Sequence, residues 1–542
     1  MAGLMQDRPL SLPHVFHRAE MLFADKEIVT ATASGERRST YGECFERVRR
    51  LAAALDRLDV PAEARVGTFC SNTQTHLELY FAVPCSGRVL HTINIRLFPD
   101  QLAFVVADAQ DDVVFVDRAL LPALWQVADR MPSVRHIVVI DDGSNEAVPD
   151  DPRVVDYETL LAGGPPRSGR FVIDDENSAA ALCYTSGTTG DPKGVLYSHR
   201  STVLHSLTSL AADVLAIGER DRVQPVVPMF HVNAWGLPYT AVLAGANLIL
   251  PGTQTAPGEL LAQIERHRVT ISAGVPTIWM GALPLLHEHD LSSLRMVLCG
   301  GAAVPQSLSE GWRAAIGLPI TQAWGMTETS PICTVGVLRS ADNELDDEER
   351  ARLRATQGRP VPLFDLRLVN PETGAEQPWD GVSAGELQAA GPWIASGYLN
   401  GSGADAFTDD GWLRTGDIAT VDPRGYLNLV DRTKDLVKSG GEWISSVTLE
   451  NHIMGHPAVA EAAVVAKPDP RWSERPVAFV VPRDDARLTT DDVLAHLRPL
   501  VPKWWLPDEV HFVDALPKTG TGKFAKRVLR ARLDAIVPEG ST

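Results

Sequence analysis

The sequence predicts an α/β fold, and three observations carry that expectation. Helical patterns, such as residues 41–58, alternate with short strand-like runs along most of the 542 residues. Runs such as Val113-Val114-Phe115-Val116 and Ile137-Val138-Val139-Ile140 are continuously apolar, as buried strands are. A chain of this length also exceeds what one hydrophobic core can organise, so two or more domains are expected, and 44% apolar residues suffice to fill them.

The alternation holds from about residue 10 to residue 176, where residues 141–169 read as a polar, Pro- and Gly-rich loop. Then comes the apolar run Ala179-Ala180-Ala181-Leu182-Cys183, followed by Tyr184-Thr185-Ser186-Gly187-Thr188-Thr189-Gly190-Asp191-Pro192-Lys193-Gly194 and a helical pattern carrying Val203, Leu204, Leu207 and Leu210. The expected order is strand, loop, helix. Gly187 and Gly190 let the backbone turn its N–H groups inward, Thr185, Ser186, Thr188 and Thr189 add hydroxyls, and Lys193 adds a positive charge. Such a loop suits a polyphosphate, although most loops of this composition are simply solvated. The G-x-x-x-x-G-K-[ST] nucleotide loop is absent, because Lys193 follows Pro192 and Gly522-Lys523 precedes Phe524. Strands and helices continue to about residue 430 without a fixed repeat, and residues 343–354 read as a solvated helix. Residues 437–542 read as a small α+β unit, with strands at 462–466 and 477–481, a helix at 490–497 and a basic tail.

A formal charge of −19 and a pI near 5.2 argue against non-specific attraction to nucleic acid or to an anionic membrane surface. The six cysteines, at 44, 70, 85, 183, 299 and 333, form no C-x-x-C pair. The N-terminus lacks a secretory pattern, and no apolar run approaches the ~18 residues of a membrane span. A soluble cytoplasmic protein without integral membrane association is expected, and the sequence leaves a homodimer open.

Four further stretches carry chemistry-bearing residues. Gly300-Gly301-Ala302-Ala303 follows the strand-like Met296-Val297-Leu298-Cys299, so backbone can approach a flat ligand. Thr321-Gln322-Ala323-Trp324-Gly325-Met326-Thr327-Glu328-Thr329 offers a planar surface and, three to four residues on, hard oxygen donors. Trp412-Leu413-Arg414-Thr415-Gly416-Asp417 places a carboxylate after a turn, where it can accept hydroxyl hydrogen bonds. Leu516-Pro517-Lys518-Thr519-Gly520-Thr521-Gly522-Lys523-Phe524 sets Lys523 on a glycine-flexed loop. Taken singly, each is more often a turn, a core tryptophan or a surface charge.

Together and in this order they resemble the acyl-adenylating superfamily of acyl-CoA synthetases, peptide-synthetase adenylation domains and luciferases. Val227-Pro228-Met229-Phe230-His231-Val232-Asn233-Ala234-Trp235 is most similar to the gate of fatty acyl-CoA ligases. The resemblance implies a large N-terminal ATP- and acyl-binding domain over residues 1–430, a hinge at 431–436 and a mobile C-terminal domain over 437–542. It implies that Thr185, Ser186, Gly187, Thr188, Thr189 and Lys193 hold ATP phosphates, and that Thr185 and Glu328 hold Mg²⁺. Gly301, Ala302, Gln322, Ala323 and Trp324 would receive adenine, with Trp324 standing where many relatives have tyrosine. Thr327 would meet phosphate, and Asp417 and Arg432 ribose. Lys523, Glu328, Thr185 and His231 take the catalytic positions, while Val232, Trp235, Gly274 and Gly325 line the acyl tunnel. Lys434 would be the pivot, with Lys438 and Trp443 on the face that admits coenzyme A. The implied activity is AMP-forming ligation of a medium- to long-chain fatty acid to coenzyme A. Rivals are a short, branched, sulfur-containing or aromatic acid, a luciferase-like monooxygenase, and a carrier-protein acylating domain.

Overall fold

The computed structural model describes residues 1, 3–185, 191–440, 442–483, 487–518 and 524–536, the last three by backbone alone. Its larger part is built on two mostly parallel sheets. One has seven strands, six of them parallel and the last, Gly194–Ser198, antiparallel at the edge. The other has nine, with a parallel centre that includes Met296–Cys299 and Ile320–Gly325. Helices cover both. Tyr41–Arg57 starts at a capping box in which Thr40 and Glu43 satisfy each other's backbone N–H groups, and its apolar side buries Phe45, Val48, Leu51 and Leu55. Gln74–Cys85 is buried all round, as a helix lying between packed layers must be.

A four-stranded antiparallel sheet ending in Leu413–Val421 and Leu427–Arg432 completes this part. The C-terminal part is a separate five-stranded sheet carrying the helices Ser446–Met454, Thr490–Leu497 and Lys526–Ile536. It has its own cores, one around Val437, Leu449, Val464 and Val480, the other around Val465, Phe479 and Leu529. The architecture is therefore mixed α/β, with a large N-terminal and a small C-terminal domain.

Two local expectations are corrected. The stretch from Tyr184 to Gly194 joins two antiparallel strands, Ala179–Tyr184 and Gly194–Ser198, and the helix His199–Ser209 starts only after the second. The flanking strands pair with each other, so the order is strand, loop, strand, helix. The passage 141–169 likewise contains a strand, Val154–Asp156, and a helix, Tyr157–Ala162, whose Tyr157 and Leu161 are buried.

Candidate functional site

Parallel strands leave their ligand crevice at their carboxyl ends, and the main cleft opens there. Its wall contains Asn94 after Val89–Thr92, Thr185 after Ala179–Tyr184, Gly300 after Met296–Cys299 and Gly325 at the end of Ile320–Gly325. The cleft measures about 1080 Å³. Although the chain is acidic overall, nine lysine and arginine side chains line it against four carboxylates, counted among the described residues. Composition gave no hint of this reversal. A polyanion is drawn to such a cleft, and its low-dielectric walls strengthen the attraction.

The hairpin base is closed by Thr185 N donating to Lys193 O at 2.9 Å and by Lys193 N donating to Thr185 Oγ1 at 3.0 Å. Tyr184 Oη donates to Asp108 at 2.7 Å. Ser186, Gly187, Thr188 and Thr189 lie outside the described residues. On the opposite wall, Trp324 Nε1 donates to Asp417 Oδ2 at 3.0 Å, and Arg432 Nε meets Asp417 Oδ1 at 2.6 Å. Asp417 lies on the strand Leu413–Val421, paired in register with Arg432 and just after Gly416, whose φ of 70° falls where the ladder to Gly385–Ala390 shifts register. It stands just behind Thr415 and Gly416, which line the cleft.

The short turn Thr327–Thr329 presents Thr327 and Glu328 to the cleft. Tyr197 Oη donates to Thr327 O at 2.6 Å, Ala395 N donates to Glu328 O at 2.8 Å, and Tyr398 Oη donates to Glu328 Oε1 at 2.7 Å. Tyr398 was not singled out in the sequence. A single aromatic beside Gly397 in a Pro- and Gly-containing loop has neither period nor charge to betray it.

Gly301 and Ala323 line the cleft. Ala302 and Gln322 do not, and Gln322 instead accepts from Val304 N through its side chain at 3.2 Å. Gly274 is not at the wall either. A Cβ there would stand 2.7 Å from the Trp279 ring, so this glycine admits a core tryptophan.

His231, Val232 and Trp235 do line the cleft. From Val232 to Trp235 four consecutive non-glycine residues have φ between 47° and 58°, a left-handed turn. Asn233 Oδ1 anchors it by accepting from Thr92 Oγ1 at 3.3 Å and from Cys183 Sγ at 3.4 Å. The indole of Trp235 rests against Gly300, where a Cβ would stand 3.2 Å from Cη2.

The C-terminal domain closes the remaining side. Lys434, Asp435, Lys518, Phe524, Lys526 and Arg530 reach the cleft, while Lys523 lies outside the described residues. Lys438 and Trp443 face each other across the strands Val437–Ser439 and Glu442–Ile444 and do not line it. Arg530 bonds both Lys434 O, at 3.1 Å, and the Asp435 carboxylate. Asp431 accepts from Ser446 N at 2.5 Å, and Lys526 pairs with Glu450 at 2.7 Å. Burial pushes both carboxyls up, Glu450 to about 7. Burial works against the Lys526 ammonium too, but Glu450 and Asp431 outweigh it and hold its pKa above the ordinary lysine value.

Among the described residues no three His, Cys, Asp or Glu side chains converge as a cation cage. One buried carboxylate, Glu328, with the Thr185 hydroxyl on the same cleft fits an ion that takes most of its oxygens from water and phosphate, as Mg²⁺ does.

A family model described as AMP-binding enzyme matches residues 16–399, and one described as AMP-binding enzyme C-terminal domain matches residues 448–523. The chain belongs to the AMP-binding enzyme family. A long-chain-fatty-acid–CoA ligase of Thermus thermophilus is 45% identical over 97% of this chain and 96% of its own. A 3-methylmercaptopropionyl-CoA ligase of Ruegeria lacuscaerulensis is 42% identical over 98% of each. Among solved structures, an anthranilate CoA ligase in complex with anthranoyl-AMP aligns with a TM-score of 0.87 at 26% identity, covering 98% of this chain and 100% of that one. Like those proteins, this AMP-binding enzyme pairs a large N-terminal domain with a small C-terminal one, and no helix among its described residues is long and apolar enough to cross a membrane.

Proposed function

We propose that the cleft is the adenylation site of this enzyme and that its C-terminal domain turns to complete a second half-reaction there. The protein is an AMP-forming acyl-CoA synthetase acting on a medium- to long-chain fatty acid. The observation that carries the site assignment is the basic cleft in an acidic chain, with Lys193 on one wall and the Trp324–Asp417–Arg432 cluster on the other.

In this reading Lys193, the hydroxyls of the hairpin tip and Thr327 bind phosphates, Trp324 takes the adenine face, and Asp417 with Arg432 takes the ribose hydroxyls. A carboxylate oxygen of the fatty acid attacks the α-phosphorus, and the bond to pyrophosphate breaks to leave acyl-AMP. Lys523 and Lys193 offset the negative charge that gathers around the reacting phosphorus. A magnesium ion held by Glu328 and the phosphates would supply further charge neutralisation to the departing pyrophosphate. His231, Val232, Trp235 and Gly325 border the acyl chain. The thiol of coenzyme A, brought past Lys438 and Trp443 after rotation about residues 431–436, then attacks the acyl carbon, loses its proton and releases AMP. Catalysis by positioning and charge neutralisation needs no covalent protein nucleophile. Six buried, unpaired cysteines support a cytoplasmic setting.

The test is a graded panel of carboxylic acids assayed for ATP- and CoA-dependent AMP formation. Highest kcat/KM among medium and long fatty acids is expected. A preference for 3-methylmercaptopropionate or another short acid would favour the second reading, to which the Ruegeria relative points.

A further inference from the structure

Tyr398 touches both of the charges the nucleotide reading needs most. Its hydroxyl donates to Glu328 Oε1 at 2.7 Å, and its ring lies 4.9 Å from Lys193 Nζ, within cation–π range. Gly403 also approaches the ammonium closely. A Cβ on Gly403 would stand 2.4 Å from Lys193 Nζ and 3.1 Å from the tyrosine ring, so only glycine leaves space for the lysine tip. The same loop fixes the backbone of the carboxylate residue through Ala395 N and Glu328 O at 2.8 Å.

Lys193 and Glu328 do not form an ion pair with each other, although both border one low-dielectric cleft. Opposite charges in such a setting attract strongly, and a lysine stem is long enough to swing. If they paired, each would neutralise the partner that phosphate and metal require. Tyr398 engages each of them separately, the ammonium through its ring and the carboxylate through its hydroxyl.

We propose that Tyr398 is a positioning residue that keeps Lys193 and Glu328 apart and aimed, its ring holding the ammonium and its hydroxyl holding the carboxylate. This rests on the nucleotide-site reading above. It implies a division of labour: the hydroxyl governs how Glu328 meets a divalent cation, whereas the ring governs how Lys193 meets phosphate whether or not a metal is present.

The experiment is calorimetric titration of the full-length protein with ATP alone, without acid or coenzyme A, at graded Mg²⁺ and in EDTA. Tyr398→Phe keeps the ring and is expected to weaken Mg²⁺–ATP binding about tenfold, to raise the Mg²⁺ concentration for half-maximal affinity, and to leave binding in EDTA unchanged, because a hydrogen bond to a charged group is lost. Tyr398→Leu removes the ring too and should weaken binding in EDTA as well, by about three- to tenfold. Both variants should keep the wild-type circular-dichroism spectrum, which certifies their fold. Wild-type Mg²⁺ dependence in Tyr398→Phe, or an equal loss with and without Mg²⁺, would overturn the proposal. Failure of the wild-type protein itself to bind ATP would sink the nucleotide-site reading and this inference with it.

Discussion

Trp324 and Asp417 are joined by a 3.0 Å hydrogen bond from indole Nε1 to carboxylate Oδ2, across 93 positions of sequence. The pair ties the surface assigned to adenine to the carboxylate assigned to ribose, so the two halves of the nucleoside site are one unit. Trp324→Phe keeps a stacking face and removes the donor. KM for ATP is expected to rise about tenfold, and the preference for ATP over 2′-deoxy-ATP to shrink. An unchanged ratio between the two nucleotides would mean that Arg432 alone fixes Asp417.

The indole of Trp235 rests against Gly300 in the cleft wall, where the proposed gate would stand. Trp235→Ala leaves a void where a plug stands. Relative kcat/KM across a series of acids of increasing chain length should flatten, with the least favoured acids gaining about tenfold on the best. A profile parallel to wild type would remove the gate role.

The hinge reading separates two variants. Lys523→Ala should lose acyl-AMP formation yet still convert supplied acyl-AMP and coenzyme A to thioester. Lys434→Pro fixes φ and removes a backbone donor at the pivot, so it should make acyl-AMP and then stall. Contacts that cross from residues 430–435 to the C-terminal domain, such as Asp431 with Ser446 N, would have to break on rotation. Equal slowing of both half-reactions by both variants would end the two-orientation scheme.

Acid should unfold the protein through its buried histidines. His205 packs against Gly236, accepts from Ile332 N at 3.2 Å through Nε2, and is held by burial at a pKa of about 4 instead of 6.5. Burial holds His199 near 4 as well. Between these two values the unfolded chain binds protons that these folded imidazoles refuse, so their contribution to stability is full above pH 6.5 and is lost as the pH drops toward 4, while Glu450, raised to about 7, works in the opposite direction. Urea midpoints should follow that course. His205→Gln, which retains an acceptor, should reduce the slope of stability with pH in this window by about one proton, or ~1.4 kcal/mol per pH unit. A slope identical to wild type would assign the acid sensitivity elsewhere.

Much of the site was legible because its residues belong to stretches with a strong local character. Lys193, Trp324, Glu328 and Arg432 were read from four separate segments and all border one cleft. What escaped depended on pairing between distant strands. Gly194–Ser198 is only five residues long and abuts a helix, so its antiparallel bond to Ala179–Tyr184 left no periodic trace. The strand Val154–Asp156 was hidden in a polar passage, since three residues are too few to show a period. Asp417 was placed after a turn because the glycine before it is audible in sequence, whereas its ladder partner Arg432 is not. The basic lining of the cleft was invisible for a related reason: net charge sums the whole surface, and folding sorts it.

The left-handed turn at 232–235 sets Trp235 on a strained backbone. Each L-residue held in that conformation costs roughly 1–2 kcal/mol, so four in succession store about 4–8 kcal/mol in the backbone beneath Trp235. The tethers from Asn233 to Thr92 and Cys183 keep it wound. Such strain persists only while neighbouring contacts over-determine it, so Asn233→Ala should let the turn relax and shift the indole against Gly300.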